Sequence, residues 1–239
     1  MTGDGYEFLH RDRHLLVVSK SCGLLTVPGI GPEKADCLIA RLAARFPGAR
    51  VVHRLDRDTS GVLVVALDAN THRALSMQFE RRETGKTYVA LAAGHPPKDA
   101  GEIDLPIRKD LVNTPLQVVD FVHGRPSVTR WNVRAKLDDP ARTRFELLPV
   151  TGRSHQLRVH LLAIGHPILG DGKYGGKAAH LDLADAPKQL QLHARSIALR
   201  RPNGKMLKVE APLPAHMKAT WTAFGFAARP DDDPFRDAP

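Results

Sequence analysis

The stretch "HRLDRDTSG", residues 53–61, packs a histidine, two arginines and two carboxylates into nine residues between apolar runs. A carboxylate held on a polar connection between buried strands can act as a base, a nucleophile or a stabiliser of positive charge. Asp56 and Asp58 are two apart, and on extended chain such a pair points to opposite faces, so they do not form a general acid and base couple. Asp58, followed by Thr59, Ser60 and Gly61, reads as turn chemistry. Asp56, flanked by Leu55 and by the basic Arg54 and Arg57, reads on these residues alone as a surface ion pair. A second stretch, "TGRSHQLRVHLLAIGHPILGDGKYG" from Thr151 to Gly175, runs from a strand into a helix and sets Arg153 at a corner suited to an anion. His155 and His160 are five apart rather than the four of a helical zinc pair, which argues against metal. Tyr88 in "KTYVALAAG" is one of only three tyrosines and stands on the strand face opposite Thr87 and Val89. Leu169, with Ile168, is either an apolar wall beside the corner or ordinary core.

The elements that must position these groups follow from periodicity. "HLLVVSK" reads as a strand from His14 to Val18, and Ile39, Leu42 and Phe46 mark a helix over 35–46 that "PG" stops. Val62 to Leu67 is a buried strand, with Asp68 capping a helix through Leu75 and Phe79. Four strand-like runs follow, "KTYVALAAG", "LQVVDF", "VTRWNVRAK" and "TRFELLPV", close enough together to pair antiparallel. A helix over 154–163 carries Leu157, Leu161 and Ile164 on one stripe, and Gly165 and Pro167 close it. The strands "SIALR" and "MLKVE" precede a last helix over 215–224. The sum is α+β: a large, mixed, mainly antiparallel sheet with flanking helices.

Composition narrows the partner. The 239 residues carry 35 Lys+Arg against 26 Asp+Glu, a formal charge of +9, which favours a polyanion. No apolar run reaches the roughly 18 residues of a membrane span, and the N-terminus lacks the apolar core of a secretory signal. A cytoplasmic protein is expected. Cys22 and Cys37 have no CxxC or histidine companions and read as reduced thiols. Arg195, Arg200, Arg201, Lys205 and Lys208 lie in a run without an acid, which suits phosphate contact or a solvated strand face.

Taken together, "HLLVVSKSCGLLTVPG", "HRLDRDTSG", "KTYVALAAG", "TGRSHQLRVHLLAIGHPILGDGKYG" and "LQLHARSIALRRP" resemble the RluA-type pseudouridine synthases, in family order over residues 9–212. The phrases "TVPG" and "GRSHQLRVH…GHPILGD" are most similar to the subgroup that acts on both rRNA and tRNA. Two departures are small: Ser21 stands where a proline usually follows Lys20, and Ser154 where many members have threonine. The resemblance implies the pseudouridine synthase catalytic fold with a central cleft over 1–226 and no S4-like RNA-binding domain, while the Pro- and Asp-rich composition of 227–239 reads as an unstructured acidic tail.

It also implies roles. Asp56 is the catalytic aspartate, Arg153 its ion-pair partner and Tyr88 the ring against the target base. Arg54 is the group that fills the space left by an everted nucleotide, and His53 assists at the backbone. With Arg57, His155, Arg158 and Arg195 these form the expected RNA contacts, and Leu169 the pocket wall. The implied reaction breaks the bond from C1′ to N1 of a uridine, turns the uracil and joins C5 to C1′. It needs no activated water, hence no second carboxylate, and no cofactor or metal is expected. The partner is an RNA stem-loop, and the chain is expected to be a monomer without an obligate protein partner. A non-catalytic RNA binder on the same scaffold and a nucleoside glycosidase are the alternatives.

Overall fold

The computed structural model describes residues 3–181, 188–227 and 233–235. In chain order the elements begin with β1 (Tyr6–Arg11), β2 (Leu15–Lys20), α1 (Leu38–Arg45), β3 (Arg50–Val51), β4 (Ser60–Ala66) and α2 (Ala69–Glu80). Next come β5 (Gly85–Ala93), β6 (Ala100–Asp104), β7 (Ile107–Lys109), β8 (Gln117–Val119), β9 (Val128–Asp138), β10 (Ala141–Pro149) and α3 (Gln156–Ala163). The last are β11 (Leu192–Arg200), β12 (Met206–Glu210) and α4 (Ala215–Ala223). The described chain divides into two compact units, the first of residues 3–86, 193–214 and 233–235, the second of 87–181, 188–192 and 215–227.

In the first unit β4 is central, antiparallel to β2 and parallel to β11, and β1 and β12 continue the sheet outward. Strands flanked on both sides and covered on both faces read as continuous apolar runs, which is why "SGVLVVA" is buried at every position. Alternate residues Leu15, Val17, Val62, Val64, Ile197 and Leu199 share one face and pack with Leu75 of α2. Asp68 caps α2 as its sequence position predicts, accepting the Thr71 N–H at 2.8 Å.

Gly61 is where β4 and β11 come closest. Its φ is +112°, and a Cβ there would lie 2.1 Å from the Ala194 carbonyl oxygen. Only glycine fits. Next to it Ser60 Oγ meets His193 Nδ1 at 2.9 Å, so "TSG" and "LHA" lock together through one hydrogen bond and one missing side chain.

The second unit is built on β5, β10, β9 and β6, all antiparallel. Leu157 and Leu161 of α3 pack with Ala90, Ala92, Trp131, Phe145 and Leu147, and Ile164 joins from the predicted stripe. Burying each leucine contributes about 1.5–3 kcal/mol. The strands and helices are those of an α+β protein, as expected, and they differ at the edges. β1, β6 and β7 lie outside the expected runs, because short or half-polar segments such as "YEFLHR" carry no clear alternation. "LQVVDF" does not join the main strands: β8 pairs with β7 in a separate two-stranded ribbon.

Cys22 and Cys37 are free thiols. No helix among the described residues is long and apolar enough to cross a membrane. Most of the tail expected to lack structure falls outside the described residues; within 233–235, Ser196 Oγ donates to the Pro234 carbonyl at 3.2 Å and Lys208 Nζ lies 5.4 Å from the Phe235 ring.

Candidate active site

Asp56 sits, half-buried, on the connection between β3 and β4 in the first unit. The backbone around it is clasped by the segment after β2. Lys20 Nζ, almost without exposure, donates to the carbonyls of Ser21 (2.8 Å), Leu24 (2.8 Å) and Arg57 (2.9 Å). Gly23 N–H also donates to the Arg57 carbonyl at 2.9 Å. Thr26 Oγ1 donates to the Leu55 carbonyl at 2.8 Å and accepts the Leu55 N–H at 3.2 Å. The residues before and after Asp56 are therefore both pinned, which fixes where its carboxylate starts from. Burial pulls the Lys20 ammonium down to about 8, although the thiol of Cys22 and the carboxylates of Asp58 and Asp56 favour its charge. Lys20 and Thr26 were not singled out from sequence. A lysine inside an apolar strand run is the signal that could have found the first.

The other groups of "HRLDRDTSG" separate into two kinds. Arg54 and Arg57 are exposed, as an RNA contact requires. Asp58 receives the Arg57 guanidinium, with Nε 2.9 Å from Oδ1, instead of taking the local backbone N–H groups that its turn reading predicts. His53 is structural, contrary to the expected backbone contact with RNA. Its Nε2 accepts the Val64 N–H at 3.0 Å and its ring stacks on Phe79 at 4.5 Å. Burial, with the nearby Lys86 adding to it, depresses its pKa to about 3, so the ring is neutral and carries its proton on Nδ1.

Tyr88 and Arg153 belong to the second unit. Tyr88 lies half-buried on β5, opposite Leu147 of β10 and packed against the core. Arg153 precedes α3, and the corner that holds it is organised by Gln156. That buried amide accepts from Arg153 N–H (3.0 Å) and Thr151 Oγ1 (2.8 Å) and donates to the Val128 carbonyl (3.0 Å) and Thr129 Oγ1 (3.0 Å). All four hydrogen-bonding positions of the side chain are used. The helix begins at Gln156, two residues later than expected, because His155 turns into the left-handed region at φ 55°. The Arg153 side chain reaches back so that Nε donates to the Pro126 carbonyl at 3.4 Å.

Three sequence candidates in these segments are corrected. Arg158 is 3% exposed and forms a bidentate pair with Asp171, Nε to Oδ2 at 2.8 Å and Nη2 to Oδ1 at 2.7 Å, so it ties α3 to the returning loop and presents no cation to RNA. Arg195 is equally buried and donates to Glu210 Oε1 at 2.8 Å; the β11–β12 hairpin brings an acid across to a run that contains none. Leu169 has no accessible surface and its backbone bridges Leu91 and Gln191, which makes it packing instead of a wall. His155 remains half-buried, with Nδ1 2.6 Å from the Tyr174 hydroxyl, and His160 is held by Thr129 and the Leu105 carbonyl. Among the described residues no three His, Cys, Asp or Glu side chains group as metal ligands.

Comparison with known proteins agrees with the motifs. The family model described as RNA pseudouridylate synthase matches residues 14–163, a span containing Asp56, Tyr88 and Arg153. The dual-specificity RNA pseudouridine synthase RluA of Yersinia pestis is 48% identical over 194 residues, covering 81% of this chain and 92% of the relative. Its counterpart in Escherichia coli strain K12 is 45% identical over 205 residues, covering 85% and 91%. Among solved structures, human RNA pseudouridylate synthase domain containing 1 superposes with a TM-score of 0.74 at 28% identity, covering 96% of this chain and 98% of that one. A contiguous family match over more than half of the chain, with near-half identity to full-length relatives, leaves one conclusion: the chain belongs to the RNA pseudouridylate synthase family.

Proposed function

We propose that the chain isomerises uridine to pseudouridine in two kinds of RNA, a large-subunit rRNA hairpin and a tRNA anticodon loop, with Asp56, Tyr88 and Arg153 acting on the same nucleotide. The observation that carries this reading is the family match across residues 14–163, a span that includes all three residues. The dual specificity for which the relatives are named favours two substrates over one. The clasp on the Asp56 backbone supports it too, since a catalytic carboxylate works best on a support that does not move.

In the proposed reaction the bond from C1′ to N1 breaks, the uracil turns while held, and C5 bonds to C1′. The proton on C5 is lost and N1 regains one, so no atom is added or removed and no redox partner is needed. Asp56, ionised, attacks C1′ or takes the 2′ proton. Arg153 supplies the positive charge that the family resemblance assigns to the reaction. Tyr88 packs on the base, replacing part of the stacking lost when the uridine is everted, at about a few kcal/mol. Arg54, exposed beside Asp56 in sequence, fills the gap left in the RNA.

Release of tritium from RNA labelled at uracil C5 tests this directly. The parent chain should release it from both an rRNA hairpin and a tRNA anticodon stem-loop. Asp56→Asn should abolish release while the RNA still binds. Absence of release by the parent, or undiminished release by Asp56→Asn, would overturn the assignment; release from one RNA alone would overturn the dual specificity.

A further inference from the structure

The ribbon β7–β8 breaks the usual rule for loops. Among the described residues five large apolar side chains are more than three-quarters exposed, and four of them, Leu111 (78%), Val112 (88%), Phe121 (77%) and Val122 (82%), lie at the two ends of this ribbon. The sequence repeats there: "DLVN" at 110–113 and "DFVH" at 120–123. Both copies use one device. Asp110 Oδ1 accepts the N–H groups of Val112 (2.9 Å) and Asn113 (3.1 Å), and Asp120 Oδ1 accepts those of Val122 (2.9 Å) and His123 (2.9 Å). Each aspartate thus folds a turn that thrusts the two apolar residues after it into solvent. With three residues per strand, the two apolar turns stand about 10 Å apart along the ribbon.

The ribbon is anchored to the candidate catalytic corner of its own unit. Gln117 N–H, at the start of β8, donates to the Tyr174 hydroxyl at 2.8 Å, and that hydroxyl also meets His155. At the other end, β7 bridges Arg125, and the neighbouring Pro126 carbonyl takes the Arg153 guanidinium. Exposed cations flank the apolar turns in the chain: Lys109 precedes Leu111 and Arg125 follows Val122, and exposed Lys173 adjoins the Tyr174 that holds Gln117. The two carboxylates in the turns point inward onto backbone N–H groups, and Asp120 also holds Arg108; the His123 N–H, then the Arg108 guanidinium and the Val122 N–H, keep its carboxyl well below the usual range. Rigid apolar knobs among outward cations match a ligand that offers flat bases and phosphates together. An apolar protein partner would satisfy the knobs and leave the cations unused.

We propose that Leu111–Val112 and Phe121–Val122 form a two-point grip on unpaired bases of the substrate RNA, Phe121 by stacking and the aliphatic side chains by packing, and that this grip selects looped over duplex RNA. The proposal rests on the reading of the chain as an enzyme of RNA loops and adds residues that neither the family motifs nor the sequence analysis single out.

The test is a variant carrying Leu111→Ser, Val112→Ser, Phe121→Ser and Val122→Ser. These side chains are exposed, so its melting temperature should match the parent. The probes are a hairpin RNA with the target uridine in its loop and the same sequence annealed to its complement. Kd for the hairpin should rise roughly 10- to 100-fold, in line with stacking contributions of single bases. The slope of log Kd against log salt should stay the same, since no phosphate contact is lost. Binding to the duplex should not change, kcat at saturating hairpin should stay within about twofold, and Phe121→Trp should bind like the parent. An unchanged hairpin Kd, or an equal loss for hairpin and duplex, would overturn the proposal. So would a parent dimer that dissociates in the variant with RNA binding intact, which would make the patch a contact between copies. Hairpin binding by the parent without tritium release would sink the catalytic reading and leave this one measurable through Kd.

Discussion

Lys20→Met separates two forces that act on one buried atom. The ammonium donates to three carbonyls, and two of them, those of Ser21 and Leu24, would be left without it, while the Arg57 carbonyl keeps the Gly23 N–H. Hydrogen bonds to a charged donor contribute about 1.5–3 kcal/mol each, so three amount to roughly 5–9 kcal/mol. Against this stands the burial penalty. A fall in pKa from 10.5 to about 8 corresponds to about 3 kcal/mol, which methionine would recover. The expected net loss at pH 7 is about 2–6 kcal/mol, read by urea denaturation.

The sign of the pH dependence is specific to this arrangement. Between pH 8 and 10.5 the unfolded chain binds the lysine proton and the folded chain does not, so the contribution of Lys20 to stability rises with pH across that window. The gap between parent and variant should therefore widen by up to about 3 kcal/mol from pH 7.5 to 10.5. Lys86, also lowered to about 8 by burial, is present in both chains and cancels. With the Arg57 carbonyl held by the Gly23 N–H alone next to Asp56, kcat should fall by up to about 100-fold, as displacements near 1 Å do, while hairpin Kd changes little. A gap that stays constant with pH would refute the reasoning: it would mean that the fold does not disfavour the charged over the neutral amine.

Three other perturbations probe the supports of the site. Gly61→Ala should destabilise by at least about 3 kcal/mol in thermal or urea unfolding, since its Cβ would meet the Ala194 carbonyl on a backbone that already has positive φ. Arg158→Ala should cost about 3–5 kcal/mol by stranding Asp171, yet leave the salt dependence of RNA binding unchanged. Arg54→Ala should do the reverse, with stability within about 0.5 kcal/mol of the parent and a salt slope shallower by about 0.7–0.9. For His53, the folded pKa of about 3 lies below the ordinary 6.5, so stability present above pH 6.5 is lost as the pH falls toward 3. His53→Gln cannot titrate, and the urea midpoints of parent and variant should converge between pH 7 and pH 5; parallel midpoints would contradict a buried neutral ring.

Regular, two-sided burial was legible in the sequence; edges and cross-chain pairs were not. β4 and α2 stand where the apolar run and the Asp68 cap place them, because burial on both faces leaves a pattern that composition cannot hide. β1 and β7 are short or half-polar, and their hydrogen-bonding partners, not their own residues, make them strands. The start of α3 was misplaced because a non-glycine residue, His155, takes a left-handed conformation that only its surroundings sustain. Within the candidate site the motif residues were visible and their supports were not. Gln156 looks like any polar residue of a helix until the fold closes Thr151, Val128 and Thr129 around it.

The arginines explain why a net charge of +9 is a poor map of an RNA-binding face. In sequence Arg54, Arg57, Arg158 and Arg195 look alike, each an arginine within a family motif. Chain reversal sorts them. Arg158 meets Asp171 thirteen residues on, where the chain returns after α3, and Arg195 meets Glu210 fifteen residues on, across the β11–β12 hairpin. Buried ion pairs of this kind position backbone, and their charge is spent before any ligand arrives. Arg54, Arg57, Lys109, Arg125 and Lys173 keep their exposure, and Lys109 and Arg125 flank the exposed apolar turns in the chain. A surface that reads bases needs both chemistries in one place, because phosphate contact alone binds every RNA alike. Exposed cations beside exposed apolar groups, more than total charge, are thus the feature from which the selectivity of this chain should be sought.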